Sequence, residues 1–396
     1  MAKPDCQPSA QDTQKLLSES EKRAWLRLSR TPQIGSVTFW ELVSYFGNAE
    51  TALKALPELA KRGARFSAHS IPTPQDIEEE LEKAYTAGMT LVALGEPGYP
   101  PLLARVELPP PLLYVKGAPG VWDRPPFAIV GSRQASAAGL KFAGELAAKL
   151  GSRGFLIVSG LARGIDAAAH RAALPYATCA VLGGGLDRIY PAEHSELAAK
   201  IAENGLLVSE CPPGFVARAQ DFPRRNRIIS GCCLGVAIVE ATERSGSLIT
   251  ARLAADQSRD VFAVPGHPFE PRSAGTNRLI KEGAILTTGA SDVEDALQTS
   301  LANWESVRGR EVSPPLDSLP ATAHTVPGDR TLPGTLGPME EAARDVLKLL
   351  SFSPIDVDDL CRLSGMEARH LHAALLTLDL SGHIERRGLR QIVLRP

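Results

Sequence analysis

The feature that most constrains the fold is a series of short apolar segments that alternate with amphipathic stretches over residues 126–287. Seven such segments, FAIVG, GFLIVSG, TCAVLGGG, GLLVSE, LGVAIVE, DVFAVPG and GAILT, are separated by stretches such as SAAGLKFAGELAAKL and AEHSELAAKIAEN. Apolar strands that alternate with helices are typical of a parallel sheet covered on both faces. The pattern predicts an α/β domain whose ligand edge is the carboxyl end of its strands.

The rest of the chain differs from this domain in pattern. Residues 20–75 show helical periodicity and predict a small domain of the helix-hairpin-helix or SAM type, whereas residues 90–300 hold the α/β domain with a Pro-rich lead-in. Residues 304–338 contain six Pro, four Gly and no apolar periodicity, which is typical of a linker. Residues 339–396 combine amphipathic helices with an alternating hairpin, the plan of a winged helix. The linker should let that winged helix move independently.

One turn in the helical region carries a further signal. The sequence Gln33-Ile34-Gly35-Ser36 resembles the hairpin of helix-hairpin-helix proteins that bind the DNA backbone, but Gln33 stands where the first Gly is usual. A purely structural helical bundle is the alternative interpretation.

Charge and cysteine content limit the classes of function. The net charge of -2 and pI near 6.5 do not predict a nucleic-acid binder, for which a domain pI above about 9 is usual. Arginine dominates the basic residues, however, and guanidinium suits bidentate contact with phosphate. The six cysteines have no Cys-x-x-Cys spacing, so neither a disulfide framework nor a zinc site is expected. Without a signal peptide or a long apolar span, we expect a cytoplasmic protein with no membrane partner.

The turns at the strand ends are the candidate binding elements. Gly131-Ser132-Arg133 ends the first strand and Ser159-Gly160-Leu161-Ala162-Arg163-Gly164 ends the second, and small residues there let backbone N–H groups approach a phosphate. Neither turn fits Gly-x-Gly-x-x-Gly and no Walker motif is present, which disfavours NAD binding and ATP hydrolysis. In Phe222-Pro223-Arg224-Arg225-Asn226-Arg227, the charges could hold a sugar-phosphate chain while a base stacks on Phe222.

Catalytic interpretations find less support in the sequence. His170, His194 and Glu240 could supply acid, base or metal ligands, but no metal-binding or nucleophile motif places them together. We therefore expect no catalytic residue, no metal site and no cofactor.

Taken in order, the motifs resemble the DNA processing protein A family (DprA, also called Smf). The resemblance rests on AIVGSRQASAAG, IVSGLARGIDAAAHRAAL, AVLGGGLDRIYPAEHSEL, LLVSECPPG, FPRRNRIISG, VEATERSGSLITARLAADQSRDVFAVPG and GTNRLIKEGAILT, over about residues 125–290. It implies an extended Rossmann-like domain, often flanked by a helical domain and a winged helix. It also implies a protein without known enzymatic activity that binds single-stranded DNA, protects incoming strands during natural transformation and helps to load the RecA recombinase.

The resemblance also implies which residues act. The family's strand-binding pocket maps to Gly131, Ser132, Arg133, Ser159, Gly160, Arg163, Gly164, Gly183, Gly184, Gly185, Arg225, Asn226 and Arg227. Where the family has Lys after a Tyr-Pro pair, this chain has Ala192. Either Arg188 or Arg224 supplies the missing cation, or binding at this site is weaker. The family's homodimer segment maps to Asn277, Ile280 and Leu286, beside the apolar Leu279 and Ile285.

These observations lead to three hypotheses from different classes. The first is a non-enzymatic, dimeric single-strand binder and recombination mediator. The second is a Rossmann-like enzyme that processes nucleotides or nucleoside monophosphates, with an acid such as Glu240 after a Gly-rich turn. The third is a transcriptional regulator that acts through the winged helix, and it rests on the terminal region alone.

Overall fold

The computed structural model describes residues 17–61, 66–309, 337–387 and 391–395 of the 396-residue chain. We call residues 17–86 the helical unit, residues 90–309 the sheet unit and residues 337–395 the winged helix. Most of the predicted linker, residues 310–336, lies outside the described residues.

Four helices form the helical unit. They are α1 (Glu19–Arg30), α2 (Ser36–Phe46), α3 (Ala49–Lys61) and α4 (Pro74–Thr86). The ring centroids of Trp25, Phe39 and Trp40 lie 5.0–5.3 Å apart in edge-to-face contacts that build the core of this unit. Since α4 packs on α1, the helical region continues beyond the predicted boundary at residue 75.

The hairpin between α1 and α2 contains Gln33, which stands where the first Gly of the motif is usual. Gln33 adopts a φ of 69°, the left-handed region that favours glycine. The turn therefore keeps the hairpin backbone although its first Gly is replaced. Gly35 is the N-cap of α2, and no side chain caps that end among the described residues.

The sheet unit is built on nine strands. They are β1 (Thr90–Ala93), β2 (Leu112–Gly117), β3 (Pro126–Gly131), β4 (Leu156–Ser159), β5 (Thr178–Val181), β6 (Leu206–Ser209), β7 (Gly235–Val239), β8 (Asp260–Ala263) and β9 (Ile285–Leu286). Their order is β1-β2-β6-β5-β4-β3-β7-β8-β9. All seven segments predicted as strands are present and pair in parallel, while β1 and β2, from the Pro-rich lead-in, add an antiparallel edge. The predicted Rossmann-like class is confirmed.

Helices cover both faces of the sheet. They are α5 (Ala137–Ser152), α6 (Ile165–Ala173), α7 (Ser195–Asn204), α8 (Asp221–Gly231), α9 (Ser247–Asp256), α10 (Ala274–Lys281), α11 (Ala290–Ala302) and α12 (Trp304–Gly309). Alternate residues of β3 point to opposite cores: Phe127 and Ile129 pack under α5 and α6, whereas Ala128 and Val130 belong to the core shared with the helical unit. The nearly continuous apolar strands follow from this double burial.

Two sequence expectations need correction here. The segment from Phe222 to Arg227, whose sequence predicts an exposed stretch ahead of an apolar helix, instead forms the first turns of α8. Pro223 lies in the first turn, where its missing N–H has no intrahelical partner to lose. The linker was expected from residue 304, but residues 304–309 form α12. Trp304 is buried against the second core and donates its Nε1–H to the carbonyl of Asp123 at 3.0 Å.

The carboxyl-terminal region has the predicted winged-helix plan. Its elements are α13 (Gly337–Leu349), β10 (Ile355–Asp356), α14 (Val357–Ser364), α15 (Ala368–Ser381), β11 (Ile384–Arg387) and β12 (Gln391–Leu394), and its sheet has the order β10-β12-β11. Leu371, Leu375 and Leu378 of α15 face a separate small core of this unit. Gly388, at the tip of the predicted hairpin, lies outside the described residues.

The winged helix is docked on α2, which differs from the expected independent movement. Leu376 and Leu380 join the core of the helical unit. Arg386 donates from Nη2 to both carboxylate oxygens of Glu41 at 2.7 and 2.9 Å, and Thr38 donates to Asp379 at 3.3 Å. Since α15 is apolar on two faces, it is buried on two sides. Among the residues described, no helix is both long and apolar enough to cross a membrane.

Candidate nucleic-acid interface

An open cleft of about 680 Å³ lies at the carboxyl edge of the parallel strands. The strand order reverses at β3, whose neighbours are β4 and β7, and such a switch point is where open α/β sheets bind ligands. We call this cleft the edge cleft. The lining comes from the ends of β3, β4 and β7, from the segment after β5, and from α6, α8 and α9. It includes Gly131, Ser132, Arg133, Gln134, Asp166, Tyr190, Phe222, Arg225, Asn226, Thr242, Ser245, Ser247 and Thr250.

The rim of the edge cleft combines aromatic rings with a guanidinium group. The guanidinium carbon of Arg133 lies 5.3 Å from the ring centroid of Phe222, within the range of a cation–π contact. The rings of Tyr190 and Phe222 are 5.4 Å apart and inclined by 42°. Tyr190 is 52% exposed, so a planar ligand can reach it. The rim thus offers π-faces and a cation within one short span.

The floor of the edge cleft holds two buried groups of opposite charge, Arg225 and Asp166, which are not in direct ion-pair contact. Arg225 is only 6% exposed, and its Nη1 donates to the carbonyl oxygens of Gly160, at 2.7 Å, and Val181. The carboxylate of Asp166 accepts the backbone N–H groups of Gly160 and Ala162 at 3.2 and 3.3 Å. These bonds tie the ends of β4 and β5 to α6 and α8.

Burial dominates the ionisation of this pair. It raises the pKa of Asp166, although the positive charge of Arg225 acts in the opposite direction. It lowers the pKa of Arg225 to about 10, and the charge of Asp166 again opposes the shift. Each group thus favours the charged form of the other, in opposition to the effect of burial. Arg225 therefore holds the floor in place, and its charge is not offered freely to a ligand.

The glycines of the two strand-end turns are required by close backbone approach. Gly164 has a φ of 77°, and a Cβ there would lie 2.2 Å from the carbonyl oxygen of Ser132. A Cβ on Gly131 would lie 1.8 Å from the carbonyl oxygen of Val239. The two turns are also joined directly, since the N–H of Ile165 donates to the Ser132 carbonyl at 3.2 Å. The glycines thus place Ser132 and Arg133 at the cleft.

Several predicted site residues lie beneath the edge cleft and pack against the groups of its floor. Ser159 is fully buried and donates its hydroxyl to the carbonyl of Ile129 at 2.6 Å. Gly160 leaves room for the guanidinium of Arg225, which lies 2.7 Å from the position of a Cβ there. The third turn packs by the same means: Gly183 lies against Phe222, while Gly184 and Gly185 lie against the backbone of residues 212–217.

Arg163 and Glu193 form an exposed ion pair beside the edge cleft. Arg163 donates from Nε and Nη2 to the two carboxylate oxygens at 2.8 and 2.9 Å. The hydrogen bonds from Arg163 lower the pKa of Glu193. Ala192 stands where the family has a cation, and the next residue of this chain is an acid, Glu193. Glu193 partly neutralises Arg163, one of the predicted site cations. Arg188, one proposed substitute, is exposed and lies 3.7 Å from Asp187.

The remaining charged residues of α8 face a second cleft of about 820 Å³, which also includes residues 32–38 of the hairpin and α2. We call it the hairpin cleft. Arg224, the other proposed substitute, lines it, and Arg227 pairs there with Glu210 and donates to the Ser36 hydroxyl at 3.2 Å. Asn226 lines the edge cleft, with its amide 3.5 Å from the Gly246 carbonyl. Of the predicted arginines, Arg133 lines the edge cleft, Arg224 and Arg227 line the hairpin cleft, Arg225 lines both, and Arg163 and Arg188 line neither.

The predicted dimer segment lies at the β9 edge of the sheet. Asn277 exchanges hydrogen bonds with the backbone of Gly266 at 2.9 and 3.2 Å. Leu279 packs against the core, and Ile285 pairs with β8. Ile280 is half-buried and Leu286 is 49% exposed.

Sequence reasoning did not assign two residues to the DNA-binding site that line the edge cleft, Tyr190 and Asp166. Tyr190 follows the third glycine turn, and its position after a strand end was an available signal. Asp166 lies two residues after Gly164, but its partner Arg225 is remote in sequence. Glu240, considered above as a catalytic acid, accepts hydrogen bonds from the backbone and hydroxyl of Ser136 at the start of α5. Within the described residues, no cluster of His, Cys, Asp and Glu could hold a metal ion.

Comparison with known protein families gives matches over each unit. The model described as DNA recombination-mediator protein A matches residues 90–298. The DprA-like N-terminal HHH domain matches residues 19–83, and the DprA winged helix domain matches residues 330–388. The helical unit is thus a helix-hairpin-helix domain, and the order of all three matches agrees with the fold.

Individual relatives agree with these matches. Protein Smf of Escherichia coli is 47% identical over 209 residues, which are 52% of this chain and 56% of that protein, so the chain spans about half the length of this relative. Protein Smf of Synechocystis is 30% identical over 395 residues, covering 94% of this chain and 99% of that protein. The X-ray structure of DNA processing protein A from Streptococcus pneumoniae has a TM-score of 0.62 and 34% identity, over 69% of this chain and 97% of that one.

The full-length match to the Synechocystis protein and the family match over more than half of the chain agree with the sheet topology, the hairpin and the winged helix. The chain therefore belongs to the DNA processing protein A (DprA/Smf) family of DNA recombination mediators.

Proposed function

We propose that this chain binds single-stranded DNA in the edge cleft and acts as a recombination mediator. The observation that carries the proposal is the rim, where the guanidinium of Arg133 lies 5.3 Å from the ring of Phe222, beside the exposed Tyr190. Aromatic faces stack on any unpaired base and guanidinium groups hold phosphate, so the rim suits a strand of any sequence. Base–aromatic stacking contributes about 1–3 kcal/mol per base.

The preference for a single strand follows from access to the bases. In a duplex the base faces are stacked inside the helix, and only the groove edges and the backbone are exposed. Tyr190 and Phe222 offer ring faces within an open cleft of about 680 Å³. A duplex would have to unstack to use them, whereas a single strand presents its bases without that cost.

The cellular role belongs to the same proposal. Its support is the membership in a family of DNA recombination mediators and the motif resemblance described above. We propose that the protein covers incoming single strands during natural transformation and helps to load RecA on them. A homodimer through Ile280 and Leu286 would link two edge clefts and raise the effective concentration of the second cleft on one strand.

The alternative of a nucleotide-processing enzyme has weaker support. Its acid, Glu240, is engaged by the backbone and hydroxyl of Ser136. His170 is fully buried, and the Nδ1 of His194 lies 2.9 Å from the Leu161 carbonyl oxygen. These groups have structural partners, so we propose a protein that works by binding, without catalysis and without a cofactor.

Fluorescence anisotropy with labelled oligonucleotides tests the binding proposal. We expect the full chain to bind a single strand of about 20 nucleotides at least tenfold more tightly than a duplex of the same sequence. Equal affinity for both, or no binding to either, would contradict the proposal. Release of base or phosphate from nucleoside monophosphates, followed by chromatography, would support the enzymatic alternative.

Analytical ultracentrifugation tests the dimer. Leu286→Asp should give a folded monomer with weaker single-strand binding, because Leu286 is exposed within one chain and its replacement spares the core. Leu363→Asp is the matched control, since Leu363 is also exposed but lies on the winged helix. A folded Leu286→Asp protein that still sediments as a dimer would remove this interface.

A further inference from the structure

We infer that Glu240 is a positioning residue, whose carboxylate fixes the connection between β3 and α5 and thereby places Arg133 at the edge cleft. The inference rests on the proposed single-strand binding and adds to it a residue that does not contact the strand. Glu240 directly follows β7 and does not belong to the lining of the edge cleft. It can therefore influence binding only through the residues that its carboxylate holds, or through its charge.

The carboxylate of Glu240 lies on the first turn of α5. It accepts the backbone N–H of Ser136 at 2.8 Å and the hydroxyl of the same residue, which in turn accepts the N–H of Gly139 at 3.0 Å. A Cβ on Gly139 would lie 2.6 Å from the carboxyl carbon, so the missing side chain lets the acid reach the helix. The positive end of the helix dipole favours an acid at this point. Charge-assisted hydrogen bonds thus hold the start of α5 to the end of β7.

Both ends of the connection between β3 and α5 are held by consecutive residues at the end of β7. The N–H of Ser132 donates to the carbonyl of Val239 at 3.3 Å, and Ser136 donates to Glu240. Arg133 lies between these two points and extends from them to the rim of the edge cleft. Release of Ser136 would therefore free the backbone that carries the rim cation.

The backbone conformation of Glu240 supports a role for its side chain. Its φ is 52°, in the left-handed region that residues other than Gly seldom adopt, whereas Gly would fit there without strain. Residues in such conformations persist where the surrounding structure holds them, and they cluster at functional sites. The need for a carboxylate at this point explains why the chain keeps an acid where its backbone favours glycine.

Charge alone predicts the opposite effect from positioning. Glu240 lies two residues before Thr242, which lines the edge cleft, so its negative charge is close to the proposed path of a polyanion. If Glu240 acted only through its charge, its loss would tighten single-strand binding. If it positions Arg133, its loss weakens binding although the net charge becomes more favourable. The direction of the change therefore separates the two roles.

Anisotropy titrations with a labelled single strand of about 20 nucleotides test this direction. Glu240→Ala removes the carboxylate, whereas Glu240→Gln loses the same charge but keeps an oxygen that can accept the N–H of Ser136. Glu243→Gln is the matched control, because it removes the charge of an exposed acid in the same strand-end turn. Urea unfolding verifies that Glu240→Ala is folded. If it is not, Glu240→Gly takes its place, since Gly suits the left-handed backbone.

We expect Glu240→Ala to bind the strand about two- to tenfold more weakly, the cost of ordering one long side chain on binding. The effect is limited because Arg272 still donates to the carbonyl of Gln134 at 3.1 Å, in the middle of the connection. Glu240→Gln should bind more tightly than Glu240→Ala, and Glu243→Gln no more weakly than the unchanged chain. Unchanged or tighter binding by Glu240→Ala, or a Glu240→Gln protein that binds as weakly, would overturn the inference.

A double variant shows whether Glu240 acts through Arg133. If it does, loss of the carboxylate has no further effect once the guanidinium is gone, so the protein with both Arg133→Ala and Glu240→Ala should bind within about twofold of Arg133→Ala. Losses that add in the double variant would overturn the inference and leave the proposed function standing. If Arg133→Ala alone binds like the unchanged chain, the proposed function itself fails, so the two failures are distinguishable.

Discussion

The floor and the rim of the edge cleft use the same residue types for different purposes. On the floor, Arg225 is buried, donates to two carbonyl oxygens and faces the carboxylate of Asp166. On the rim, Arg133 lies against one face of an aromatic ring and lines an open space. The sequence gives no sign of this difference, because both arginines follow strand ends or start helices.

The difference teaches that burial decides which cation a ligand can use. A buried arginine must donate its hydrogen bonds to other groups of the protein, since an uncompensated buried charge costs several kcal/mol. An arginine over a ring at the surface keeps most of its donors for phosphate. Changes on the floor should therefore alter folding, and changes on the rim should alter binding.

Removal of the floor cation should have the largest effect. Arg225→Leu deprives the carbonyl oxygens of Gly160 and Val181 of a charged donor and Asp166 of a nearby positive charge, so we expect the free energy of unfolding to fall by about 3–5 kcal/mol. Urea unfolding followed by circular dichroism measures it. The double variant with Asp166→Asn should recover part of the loss, because no unpaired charge remains. A loss below about 1 kcal/mol would show that the pair does not hold the floor.

Removal of the rim cation should act on binding alone. Arg133→Ala should weaken single-strand binding by about 1.5–3 kcal/mol, roughly 10- to 100-fold, which is the range for hydrogen bonds to charged groups. Among folded arginine variants of the sheet unit, this should be the largest effect. Anisotropy titrations measure the affinity, and urea unfolding should give an unchanged stability. Weakening of less than about threefold would remove Arg133 from the site.

A buried imidazole behind the floor should make stability depend on pH. Thr178 donates its hydroxyl to the carbonyl of Ile157, so the Nδ1–H of His170 donates to Thr178 and Nε2 is left without a proton or a partner. Burial, helped by the charge of Arg225, lowers the pKa of His170 from 6.5 to about 3. The unfolded state therefore binds more protons between these pH values, and stability falls as the pH falls from about 6.5 towards 3.

His170→Gln should reduce that slope by about 1.4 kcal/mol per pH unit, which corresponds to one proton. The measurement is a set of urea unfolding curves between pH 6.5 and 4. The exposed His69→Gln serves as the control and should keep the slope. Equal slopes for His170→Gln and the unchanged chain would mean that His170 titrates normally in the folded protein.

The smallest effect concerns the exposed ion pair of Arg163 and Glu193 beside the edge cleft. Glu193→Gln should free Arg163 from its carboxylate partner and tighten single-strand binding about two- to threefold at low salt, with no gain at high salt, because exposed ion pairs are weak and screened. Glu196→Gln, which breaks the exposed pair with Lys200 on the same helix, is the control. An unchanged affinity for Glu193→Gln would show that Arg163 does not contact the strand.

The sheet was predictable because its signal is local. Each of the seven apolar runs forms a strand, and all but the two at the β9 edge are largely buried. A helix follows each run and lets the next run pair in parallel. The reversal of strand order at β3 could not be predicted from any single segment. It follows from how the covered faces pack together.

The edge cleft was predictable only in part. Glycine turns and arginines at strand ends were correct markers of its position, but the partners of Arg225 lie 44 and 65 residues away along the chain. The pairing of Arg163 with Glu193, over 30 residues, was missed for the same reason. Contacts of this kind depend on topology, which residue spacing does not report.

The docked winged helix was missed for a different reason. Leu371, Leu375 and Leu378 form one apolar face of α15, which accounts for the amphipathic helix that the sequence predicts. Leu376 and Leu380 form a second apolar stripe, and such a helix needs two partners. The signal was present in the sequence and would have predicted the contact with α2.

Photo-crosslinking with mass spectrometry tests most directly whether the strand lies on the rim of the edge cleft. A single strand that carries 5-iodouracil reacts with aromatic side chains on which its bases stack. We expect crosslinks to the peptides that contain Tyr190 and Phe222, with a strong loss of the latter in Phe222→Leu. Crosslinks confined to other peptides, with none at Tyr190 or Phe222, would contradict the assignment of the edge cleft as the single-strand site.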